Sequence, residues 1–149
     1  MNERMRKLLL GFYQNELTNN ILSFWLPRCE DKTCGGYLNC FTNSGDRLVS
    51  RDKYTWSQGR FVWMFSKLSG MPMFKESERA EFLRLAGVGA RFLTRHCLVN
   101  DGGPVRCTFL TDETGAPKSV APGAPLDQSI YADCFVIAGL GKYAASARN

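Results

Sequence analysis

Histidine is nearly absent: His96 is the only one in 149 residues. A chain with one imidazole cannot place two of them on opposite faces of a substrate, so two-histidine acid/base chemistry is excluded within these residues. No apolar run approaches the length of a membrane span, since Leu8–Leu10 is short and Glu3, Asn15 and Glu16 interrupt any longer one. The amino terminus also lacks the pattern of an export signal, so cytoplasmic residence is expected. Paired C-x-x-C knuckles are missing. Cys29, Cys34 and Cys40 are too widely spaced for a zinc knuckle, and neither Cys97 nor Cys107 completes one, so no metal is expected. In a chain long enough to bury its own core, the six cysteines read as reduced thiols in apolar contexts. The net charge is +5, but the cations Arg28, Lys32, Arg47, Arg51, Lys53, Arg79, Arg84 and Arg91 are scattered among acids. Such scatter describes a solvated surface, and neither nucleic acid nor a membrane is expected as partner.

What is present is a helical pattern. Leu8, Leu9, Phe12, Tyr13, Leu17, Ile21 and Phe24 recur at helical period and predict a first helix over about 3–25, ended by Pro27. A second is predicted over 55–69, stopping at Gly70 and Pro72, and a third over 76–97 with Phe82, Leu85, Ala86, Gly89, Phe92, Leu93 and His96 on one stripe. The fourth covers 129–146 and is apolar as far as Leu140. Between the first two, Tyr37–Phe41 and the turn Asn43-Ser44-Gly45-Asp46 predict a strand entering a hairpin that returns through Arg47–Val49. A long loop is predicted over 100–127, interrupted by a strand at Val105–Leu110. The class is all-α, with the residues 1–149 read as one domain. The second and fourth helices, apolar all round, are expected side by side as inner helices, with the first and third outside.

The second helix carries the densest chemistry. In KYTWSQGRFVW, Lys53–Trp63, the residues Trp56, Arg60, Trp63 and Met64 share one face while Phe61, Phe65 and Leu68 occupy the other. A helix apolar nearly all round belongs inside, and a buried guanidinium needs acceptors that no acid at helical spacing supplies to Arg60. A ligand rich in oxygens would supply them. The plainer alternatives are aromatic core packing for Trp56 and Trp63, and an arginine satisfied by loop carbonyls.

With Phe24-Trp25, Gly35-Gly36-Tyr37, Phe92-Leu93, Arg95-His96 and the run SIYADCF over 129–135, this stretch resembles the N-acylglucosamine 2-epimerase family of sugar epimerases and isomerases. The pieces occur in family order. The resemblance implies an (α/α)6 barrel, of which only the amino-terminal third, about four helices with short hairpins, is here. It implies a sugar substrate, an amino sugar or an aldose, inverted at C2 by removal and return of a proton. It makes Arg60 the catalytic residue that stabilises enolate-like charge, with Trp56, Tyr54, Tyr131 and Cys134 binding substrate. Cys134 stands where isomerase members carry histidine, which favours the N-acylglucosamine branch. The family's two catalytic histidines lie in the later part of the barrel and are not in this chain, so the chain is expected to be a fragment inactive alone, and His96 reads as structural. No cofactor is required by the resemblance; a nucleotide as allosteric effector and a homodimer belong to the same expectation. The alternative reading is a non-catalytic helical module that binds carbohydrate or protein.

Overall fold

A computed structural model of the chain describes residues 2–148. The chain divides into two compact units, Met1–Glu30 and Asp31–Asn149. In the first, α1 (Glu3–Asn15) is capped by Asn2, whose side chain accepts a hydrogen bond from the Met5 amide at 2.8 Å. The helix then widens into a π-helical stretch, Glu16–Leu22, before a last short turn, α2 (Ser23–Trp25). The sequence pattern predicted one uninterrupted helix here. The polar cluster explains the widening: Ser23 Oγ donates to the carbonyls of Asn19 and Asn20, while Asn19 and Asn20 bond back to Asn15 and Glu16. Such side chains compete with the regular backbone ladder.

The second unit holds three long helices, α3 (Thr55–Leu68), α4 (Glu76–His96) and α5 (Ile130–Ser146). Glu78 turns back to accept from the Lys75 amide at the start of α4, and Ser129 Oγ accepts from the Tyr131 amide at the start of α5. The core is aromatic: Phe61, Phe65, Phe74, Phe82 and Phe92 are each buried, with Leu85, Leu93 and Val62 among them. Tyr37 is enclosed with them. Its hydroxyl donates to the Leu85 carbonyl at 2.7 Å, and its ring lies 4.8 Å from that of Phe61. Gln58 clamps its backbone from both sides, accepting from the Tyr37 amide and donating to the Tyr37 carbonyl, each at 2.8 Å. Gly36, at φ +69, and Gly89 are small because Tyr37, Gln58 and Phe92 crowd them; a Cβ at Gly89 would fall 2.3 Å from the Tyr37 ring. The Gly35-Gly36-Tyr37 motif is thus a plug for the core.

Helices α3 and α5 lie side by side, as expected, and their backbones touch. A Cβ on Gly59 would fall 2.4 Å from the Phe135 carbonyl oxygen, and one on Gly139 would fall 2.5 Å from the Gly59 carbonyl oxygen. Two small strand pairs accompany the helices. The first, β1 (Cys40–Phe41) with β2 (Leu48–Ser50), is the anticipated hairpin. In the second, β3 (Lys53–Tyr54) pairs antiparallel with β4 (Leu110–Thr111), which ties the long loop to the start of α3. The extended stretch predicted at 105–110 is therefore shifted: Cys107 makes an isolated bridge to Leu98, and the paired strand begins at Leu110.

One charge was misread as surface. Lys53 is wholly buried, its Nζ 2.9 Å from Asp31 Oδ2 and over the Phe92 ring at 4.8 Å. Alternation along a two-residue strand turns this lysine inward, a direction that scattered charge in the sequence does not reveal.

Candidate functional site

The site is assembled where α3 and α5 meet. The long loop sets the height of α5 against α3: the Thr108 amide donates to the Cys97 carbonyl at the end of α4, the Thr55 amide at the head of α3 donates to the Phe109 carbonyl, and the Cys107 amide donates to Asp133 Oδ1 in the first turn of α5 at 2.7 Å. Gly59 and Gly139 then allow the two helices to close to backbone contact. That contact carries Phe135 up beside Trp56, ring centroids 6.5 Å apart.

Arg60 lies between these rings. Its Cζ is 5.6 Å from the Trp56 ring centre and 5.4 Å from that of Phe135. Among the described residues it makes no ion pair and no hydrogen bond, so its donors are available. Beside it opens a hollow of about 340 Å³ lined by Arg60, Trp63, Met64, Phe135 and Ala138. A cation held by two π faces at the rim of an apolar hollow can bind a carbon skeleton and hydrogen-bond its oxygens.

The burial expected of Arg60 is not observed. Arg60 is exposed, Trp63 is 43% and Met64 41% exposed, while the Phe61, Phe65 and Leu68 side of α3 and the Gly59 and Ser66 side that meets α5 are enclosed. Likewise α5 buries only Ala132, Val136 and Gly139. Apolar content around a helix reports what could be covered, and no described element covers this face.

The other anticipated residues are partly gathered here. Trp56 is half-buried at the Arg60 face. Tyr54 ends β3 and packs edge-on against Phe109 at 5.6 Å. Tyr131 and Cys134 sit on the first turns of α5, both exposed; Tyr131 is one turn before Phe135, on the same side of the helix. No hydrogen bond or ring contact joins either to Arg60 or Trp56 among the described residues. His96 stands apart, at the end of α4, its ring tilted against that of Phe92 with centroids 4.8 Å apart. Phe135 was given no role from sequence, although its place four residues after Tyr131 already put it on that face. Among the described residues no three His, Cys, Asp or Glu side chains are grouped to hold a metal, and no helix is long and apolar enough to cross a membrane.

This fold, short hairpins between helices that pack in neighbouring pairs, is part of an α/α barrel of the kind found in sugar 2-epimerases. The structure superimposes on cellobiose 2-epimerase from Bacillus thermoamylovorans with a TM-score of 0.75 at 22% identity, over 96% of this chain and 33% of that one. In sequence it is 31% identical over 117 residues to N-acylglucosamine 2-epimerase of Mus musculus, covering 78% of this chain and 26% of that protein. Cellobiose 2-epimerase of Bacteroides fragilis is 27% identical over 141 residues, 93% of this chain and 32% of the enzyme. No protein-family model matches. The chain is a homologue of the N-acylglucosamine 2-epimerase family, matching part of the barrel and spanning about a quarter to a third of the length of these relatives.

Proposed function

We propose that this chain contributes one wall of the sugar site of a 2-epimerase that interconverts N-acylglucosamine and N-acylmannosamine by ring opening, deprotonation at C2 and reprotonation on the other face. The observation that carries this reading is the guanidinium of Arg60, unpaired and held between Trp56 and Phe135 at the rim of an apolar hollow. Charge that develops on the substrate oxygens as the C2 proton leaves is stabilised by such a preorganised donor. Trp56 supplies a flat surface for the carbon skeleton, and the family resemblance assigns Tyr54, Tyr131 and Cys134 to substrate binding. Cysteine rather than histidine at 134, together with the resemblance to the Mus musculus enzyme, supports an N-acylhexosamine over cellobiose. The step moves a proton and no net electrons, so the reading needs no redox cofactor. A nucleotide effector, a homodimer and cytoplasmic residence complete it.

The acid/base pair lies outside these residues in this reading, because one histidine on the far end of α4 cannot flank C2. The test is exchange of the C2 proton of N-acetylglucosamine in deuterated water. The 149-residue chain should catalyse none, and a longer protein containing it should lose on the order of a hundredfold in rate on Arg60→Ala. Exchange by the short chain, or an unimpaired Arg60→Ala variant, would overturn the assignment. The exposed apolar face of α5 supports a second reading, a non-catalytic module that binds carbohydrate or protein, which predicts sugar binding without exchange in any length of chain.

A further inference from the structure

Away from the Arg60 face, α4 carries a second group of cations. Arg91, Arg95 and His96 lie within two turns near its end, and with Cys34, Gly35 and Phe92 they wall a small hollow of about 130 Å³. Arg95 and His96 also wall a larger adjoining hollow of about 330 Å³, bounded by Asn100, Thr114 and Pro117. The imidazole stands between the two and is fixed there. It packs tilted against the Phe92 ring, and Gly115, at φ +98, passes so close that a Cβ would fall 2.4 Å from Nδ1.

Arg51, Lys53, Arg84, Arg106 and Lys118 each pair with a carboxylate, whereas Arg91 and Arg95 make no ion pair among the described residues. The acids of the surrounding loops are already engaged. Asp31 accepts from Lys53 and from the amides of Thr33 and Cys34, Asp112 accepts from the Thr114 hydroxyl and the amides of residues 114–116, and Glu113 faces Arg51 at 3.6 Å. The negative end of the helix dipole accounts for cations in the last turn, which covers Arg95 and His96. It does not account for Arg91, a turn further back, nor for a hollow that all three flank.

We propose that this hollow binds the phosphate of a phosphorylated small molecule. Two arginines at i and i+4 line the hollow and can present charged donors to the oxygens of a tetrahedral dianion, and the hollow is large enough to admit such a group. The adjoining hollow, entered past Arg95 and His96, takes the organic part. The site is on another helix from Arg60 and stands independently of the epimerase reading.

His96 provides a local reporter, because it is the only histidine and gives one set of ring signals by NMR. The 149-residue chain is titrated at constant pH and ionic strength with inorganic phosphate and with glucose 6-phosphate. Both should shift the His96 ring signal saturably, the ester at lower concentration. Arg91→Gln/Arg95→Gln should weaken binding at least about tenfold, as expected for loss of charged hydrogen bonds, and Arg95→Gln alone should weaken it in part. Arg4→Gln/Arg6→Gln removes the same charge from α1 and should leave the affinity unchanged. No saturable shift with either probe, or an equal loss in both double variants, would overturn the site. Saturation by inorganic phosphate alone would overturn its assignment to a phosphate ester.

Discussion

Asp31 and Lys53 are withdrawn from solvent together, and each would be costly to bury alone. Burial by itself would raise the Asp31 carboxyl; the bond from Lys53 and those from the Cys34 and Thr33 amides outweigh it, so the carboxyl is held below its ordinary value of 3.8. A carboxyl lowered in the folded state adds stability that is fully present above its unfolded value and is lost as pH falls through the folded one. Denaturation of the chain followed from pH 7 down to 2 should therefore show a loss of stability beginning near pH 4 that is smaller in Asp31→Asn. At pH 7 the same variant should be destabilised by about 3–5 kcal/mol, because it leaves the buried Lys53 ammonium without its counter-charge, with the Glu113 carbonyl still accepting from it. Adding Lys53→Met should recover much of that loss. At Arg60 the opposite situation holds, a cation with aromatic neighbours and no acid among the described residues, and the C2 exchange experiment tests the role proposed for it.

At the scale of elements, the crossing of α3 and α5 decides whether the site exists. Gly59 and Gly139 are in contact with the opposing backbone, which cannot rotate away as a side chain can. Gly59→Ala or Gly139→Ala should cost about 1–3 kcal/mol or more by overpacking, and should part Trp56 from Phe135. Gly141, two residues further on the same helix, meets nothing within 4 Å, so Gly141→Ala should stabilise by about 0.5–1 kcal/mol through helix propensity alone. Urea denaturation of the three variants checks this, and equal effects at 139 and 141 would remove close approach as the explanation. The helices were legible because their apolar residues repeat at helical period. The π-helical stretch was not, because it follows from which side-chain oxygens and amides find each other. Nor was the pairing of β3 with β4, since two-residue strands carry no period and their partners lie more than fifty residues apart.

For the molecule as a whole, α5 leaves Ile130, Tyr131 and Ile137 each about two-thirds or more exposed, and α3 leaves Trp63 and Met64 exposed. Exposed apolar side chains of this size favour association where they adjoin. The chain should sediment as an oligomer, and Ile137→Glu should move it toward monomer; a monodisperse monomer by light scattering would count against an interaction surface. The family was recognisable from short ordered motifs, and the structure explains several of them as packing devices: Gly36 and Tyr37 close the core, and Gly59 admits α5.

From the order of residues alone came the helix positions, the first hairpin, the kinship with sugar 2-epimerases and the choice of Arg60 as the residue to watch. These depend on local periodicity, turn chemistry and motif order, all of which are properties of neighbours along the chain. Only the tertiary structure decided that Lys53 points inward to Asp31, that Phe135 completes the rings around Arg60, and that Arg91, Arg95 and His96 enclose a hollow. Each of these is a meeting of residues distant in sequence or a direction of a side chain, and burial is settled by what lies opposite a face rather than by the face itself. For that reason the Arg60 side of α3, apolar enough to be core, is open in this chain.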